Sequence, residues 1–160
     1  MSIKETFKPE EWKNLIGLPM LAAYAVAGAA PSGQDDFIRE MAGAAQGIIE
    51  NERTARESSL LSEVIADIMA NADDDQRGQT EKVSVNDIKQ RVLAKSREVA
   101  GILDSRVTSE DAYDYKRFVL VVAERVAEAA KEGGLFGFGG EQISSSEVAE
   151  INEIGEAISI

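Results

Sequence analysis

The sequence predicts an all-α fold, a compact bundle of about six helices, and three observations carry that prediction. Apolar residues recur at helical spacing in almost every segment. No run sustains the strict alternation of a half-buried strand. Helix-start signatures recur along the chain: Pro9 ahead of two glutamates, Ser84 with Asp87, Thr108 with Asp111, and Ser144 with Glu147. Nothing marks an internal repeat or a composition break, so residues 1–160 are read as a single domain.

The first helix opens at "PEEW", where proline suits the first helical position and acids suit the first turn. Pro19 is expected to kink or restart it, because proline lacks the amide that closes the i→i−4 bond. The continuation "MLAAYAVAGAA" is rich in small residues, which predicts a central, buried helix, and "APSG" ends it. A second helix is expected to bury Phe37, Ile38, Met41, Ala45, Ile48 and Ile49 on one face. A third follows with Leu61, Val64, Ile65, Ile68 and Met69. The polar stretch at about 72–83, with Asp73, Asp74 and Asp75 in a row, reads as an acidic loop.

Ser84 caps a fourth helix whose buried stripe is Val85, Ile88, Val92, Val99 and Ile102. Thr108 repeats the cap before the fifth helix, where "FVLVVA" at 118–123 is apolar around most of its circumference and so predicts burial on several sides. Tyr115 shares the stripe of Ala112, Val119 and Val126, with its hydroxyl expected at the edge of the core. Glu124, Glu128 and Glu132 form a ladder on the solvated face. Trp12 and Tyr24 read as core or domain-edge aromatics. Ser144 and Glu147 form an S-x-x-E capping box for the last helix, Ile143 stands ready to staple against Val148, and Val148, Ile151, Ile154 and Ile158 form its docking stripe.

Charge and composition remove several functions. With 17 basic against 29 acidic residues, the net charge of −12 repels phosphate backbones and anionic membrane surfaces. No nucleic-acid or membrane partner is expected. The chain has neither cysteine nor histidine. Disulfides, thiolate metal sites and cysteine nucleophiles are therefore excluded, as are the Ser-His-Asp arrangement and the Glu-x-x-His pattern of di-iron bundles. The apolar run 15–30 looks superficially like a secretion signal. Glu5, Glu10 and Glu11 contradict the positive leader such a signal needs, and the run is short for a membrane span. A cytoplasmic location follows as the expectation.

The stretch "GGLFGFGGEQ" at about 133–143 is the Gly-rich loop before the C-terminal helix. It lacks the Lys-Ser/Thr of a P-loop and the preceding strand of a dinucleotide fingerprint, so it is read as a corner between helices. Leu135, Phe136 and Phe138 are expected to fold back over the core or to meet a partner. Set against the pattern of a calcium loop starting at Asp73, the acidic run matches only in part. Asp75 and Gly78 fall at the correct positions, but Arg77 and Ser84 stand where ligands belong.

Around that corner, Ala130, Glu132, Gly133, Ile143, Glu147, Ile154 and Ile158 resemble the closing hairpin of the tellurite-resistance TerB-like helical family. The likeness covers roughly the last third of the chain. Glu132 stands where that family usually has Asp, and the loop is longer. The resemblance implies a helical cytoplasmic protein with acidic, metal-binding residues near the hairpin. On that basis Glu132, Glu141 and Glu147 join Asp73 and Asp75 as metal candidates, with a divalent cation as the only cofactor considered.

No catalytic residues are assigned. The sequence reads best as a non-enzymatic interaction or scaffold protein that meets a protein partner or itself, with a homo-oligomer expected. A divalent-cation or stress-response protein is the first alternative, and a small-molecule binder with a pocket between helices is the second.

Overall fold

The computed structural model describes residues 2–30, 33–75, 84–132 and 143–160. A short 3-10 helix, Ile3–Thr6, precedes six α-helices: α1 (Pro9–Ala29), α2 (Gln34–Thr54), α3 (Leu60–Asp75), α4 (Val85–Arg106), α5 (Ser109–Glu132) and α6 (Ser145–Ile158). They form the predicted all-α bundle around one connected core.

α1 is the central helix and touches each of the other five. Leu15, Leu18, Ala22, Ala23 and Val26 are fully buried on it. Its alanines let the neighbouring backbones come close on several sides at once, as expected of the small-residue run. Among the described residues no helix is long and apolar enough to cross a membrane.

Pro19 neither ends nor restarts the helix: α1 runs unbroken from Pro9 to Ala29. Proline leaves the Leu15 carbonyl without its i+4 amide. The Tyr115 hydroxyl donates to that carbonyl at 2.8 Å. Tyr115 therefore lies wholly inside the core rather than with its hydroxyl at the edge.

The face assigned to α2 needs the larger correction. Its buried stripe is Glu40, Gly43, Ala44, Gly47 and Ile48. Phe37, Ile38 and Ile49 are exposed at 41%, 61% and 42%. Glycine decides the matter, because close backbone approach captures the small face. A Cβ on Gly43 would lie 2.5 Å from the Arg125 carbonyl oxygen and 2.8 Å from the Ala129 Cβ. A Cβ on Gly47 would lie 3.3 Å from the Val122 Cα. α2 packs antiparallel on α5, with Gly43 near Ala129 and Gly47 nearer Val122.

α3 extends through the acids expected to begin a loop, so Asp73, Asp74 and Asp75 occupy its last turn. Residues 76–83 and the Gly-rich stretch 133–142 lie outside the described residues. α4 and α6 start where their caps predicted, with the Ser84 and Ser144 hydroxyls accepting the Asp87 and Glu147 amides at 3.2 Å. The α6 stripe is shifted, because Val148 is 42% exposed while Ile154 and Ile158 are fully buried. The run 118–123 is buried on several sides as predicted: Phe118, Val119, Val122 and Ala123 are all inaccessible.

α4 runs antiparallel to α1: Arg106 pairs with Glu11 at 3.2 Å, Glu98 meets Asn14 at 2.8 Å, and Val85 abuts Gly28. That arrangement brings the C-terminal end of α1 together with the N-terminal ends of α2 and α4.

Candidate functional site, an apolar cleft between three helix ends

An open cleft of about 510 Å³ lies where these three helix ends meet. Tyr24, Ala27 and Gly28 line it from α1, Gln34 and Phe37 from α2, and Val85 and Ile88 from α4. The lining is mostly apolar. Gly28 sets its depth: a Cβ there would press to 3.3 Å from the Val85 Cγ1, so glycine lets the start of α4 lie close to α1.

Tyr24 and Phe37 stack across the α1–α2 junction, ring centroids 6.2 Å apart and planes 14° from parallel. Both rings remain 41% exposed. Val85, expected in the buried stripe of α4, is instead 55% exposed beside them. A stacked aromatic pair contributes on the order of 0.5–1.5 kcal/mol beyond its area. Its outer faces still leave apolar surface in water.

The groups around the cleft are largely committed to structure. The Asp36 carboxylate accepts the Gly33 amide at 3.4 Å and pairs with Arg39 at 3.0 Å. The Ser84 hydroxyl covers the amide of Asp87 at the head of α4. Lys89 bridges to α6, 3.0 Å from Glu153 and 3.4 Å from Glu150. The hydrogen bond to Glu153, together with Glu150, raises the Lys89 ammonium above its ordinary range. Burial raises Glu150 and outweighs the opposing pull of Lys89. Among the described residues its buried Oε1 has no hydrogen-bond partner. No nucleophile–base pair emerges from these contacts.

The sequence candidates fall elsewhere. Glu147 is buried and serves the α6 cap, its Oε2 accepting the Ser144 amide at 3.1 Å. Leu135, Phe136, Phe138 and Glu141 lie outside the described residues, as do the side chains of Asp73, Asp75 and Glu132. Among the described residues no group of three or more acidic side chains is arranged to hold a metal ion. Glu124 and Glu128 are half exposed and paired with Arg117 and Arg125.

Sequence reasoning missed the cleft because it placed Phe37 and Val85 on buried faces and Tyr24 in the core or at its edge. The signal that could have found it was Gly43-x-x-x-Gly47. Glycines at this spacing compete with large apolar residues for the buried face, leaving the latter outside. No family model matches the chain, and no curated protein or solved structure matches it either.

Proposed function

We propose that this chain is a non-enzymatic interaction module, and that the cleft between α1, α2 and α4 receives apolar side chains of a protein partner. The exposed Tyr24–Phe37 stack beside Val85 carries this reading. Aromatic residues are enriched at protein interfaces, where large rigid area is buried at low entropic cost. The cleft is open and has few polar groups to orient a reacting molecule, which favours an extended protein segment over a substrate.

A photo-cross-linking amino acid at position 37, introduced in native cells, tests the proposal. A discrete protein adduct is expected there and not from the same group at Tyr113, which is 55% exposed on α5. The adduct should disappear when Val85→Asp is added. No adduct at 37, or the same adducts at 113, would refute the reading.

The volume of about 510 Å³ also suits a small apolar ligand. This second reading predicts saturable binding of an apolar fluorophore, lost in Phe37→Asp.

A further inference from the structure

The outward side of α2 carries an apolar stripe separate from the cleft. Ile38, Ala42, Ala45 and Ile49 are all exposed. At 100° per residue they lie within an arc of about 60°, opposite Gly43 and Gly47. Ile38 and Ile49 are 61% and 42% exposed, high for isoleucines on a helix already packed on its other side.

We infer that this stripe is a self-association face, on which the α2 of a second copy of the chain docks antiparallel about a two-fold axis. Two features of α2 single out that occupant, and a third favours the antiparallel arrangement. The first is spacing: Ile38, Ala42, Ala45 and Ile49 stand four, three and four residues apart, an order that reads the same in reverse. A two-fold between positions 42 and 45 sets Ile38 against Ile49 of the other copy and Ala42 against Ala45, large residues closing the ends and small ones letting the backbones approach. A two-fold interface must be self-complementary in this way.

The second is charge. Antiparallel helices related by such an axis bring the same flank of each together. Asp35 in the first turn and Arg53 in the last lie on one flank, and the axis places each within one residue of the other across the interface. Both are exposed, and among the described residues neither forms an ion pair within the chain. On the opposite flank the same operation sets Gln34 beside Glu52, both exposed. The third is the helix dipole, whose opposite ends approach in an antiparallel pair.

Sedimentation of the wild-type chain and cysteine cross-linking test the inference. The chain contains no cysteine, so introduced thiols have no background. A concentration-dependent monomer–dimer equilibrium is expected for the wild type. Ala45→Glu, at an exposed position, should remain folded by circular dichroism and sediment as a monomer. A mixture of the Ile38→Cys and Ile49→Cys variants should give a disulfide-linked heterodimer under mild oxidation. Ile38→Cys alone should not, since its two copies would stand about 16 Å apart along the helices, beyond disulfide reach. A wild-type monomer from micromolar to millimolar concentration would overturn the inference. Dimerisation that persists in Ala45→Glu, or Ile38→Cys linking to itself as readily as to Ile49→Cys, would do the same. The cleft reading stands or falls separately, because Phe37 and Val85 lie off this stripe.

Discussion

The Tyr115 hydroxyl is hydrogen-bonded to the Leu15 carbonyl at 2.8 Å, across 100 residues of sequence and inside the fully buried core. That carbonyl is the one left open by Pro19, so α5 supplies the donor that α1 lost. Burial raises the phenol well above its ordinary range, which favours the protonated, donating form.

This pairing predicts a specific coupling. Tyr115→Phe leaves a buried carbonyl without a donor and should cost about 1–3 kcal/mol. In a Pro19→Ala background the backbone amide restored at position 19 serves the same carbonyl, and the cost of Tyr115→Phe should fall. Urea melts of the four proteins give the coupling energy, expected on the order of 1 kcal/mol. Additive effects would show that the hydroxyl does not compensate for the proline.

The glycines of α2 and α4 should respond in opposite directions to the same substitution. Gly43→Ala drives a methyl into the α5 backbone and should destabilise by about 1–3 kcal/mol. Gly101 has open space around its Cβ position, so Gly101→Ala should stabilise by about 0.5–1 kcal/mol through reduced backbone entropy. A Gly43→Ala melt unchanged or raised would refute the close α2–α5 packing, and a lowered Gly101→Ala melt would refute the open space on α4.

The N-terminal arm should leave the body at low pH, with Trp12 reporting it. Trp12 is the only tryptophan in the chain; its indole N–H donates to Asp67 at 2.8 Å, and Phe7 packs on its ring. Lys4 first, and Trp12 with it, hold the Asp67 carboxylate below its ordinary range. Burial works to raise Glu63, but bonds from the Ser2 hydroxyl and the Lys4 and Ile3 amides outweigh it and hold this group low as well. Carboxylates lowered by folding contribute stability above their unfolded values, near pH 4, and lose it as pH falls through the lower folded values. Glu150, raised by folding, contributes with the opposite sign. Trp12 emission should therefore hold steady down to about pH 4 and shift to longer wavelength only below it. Asp67→Ala should shift it already at neutral pH.

Much of the fold was legible locally. The caps at Ser84 and Ser144 and the all-round apolar run at 118–123 depend on neighbours within one or two helical turns, and such neighbours are fixed by spacing. Pro19 misled because its penalty is offset from outside the helix, where Tyr115 replaces the missing amide. The acids 73–75 misled because the α3 backbone continues helical through them.

The candidate surfaces were not legible, since which side of α2 faces inward depends on a competition between two faces. Periodicity alone identified the helices and their order, and composition alone the acidic, cysteine-free and histidine-free chemistry. Only the tertiary structure decided that Gly43 and Gly47 take the inner side and turn Phe37, Ile38 and Ile49 to water. Close packing rewards the face that fits α5 rather than the face with the greater apolar area, and that fit belongs to two helices at once.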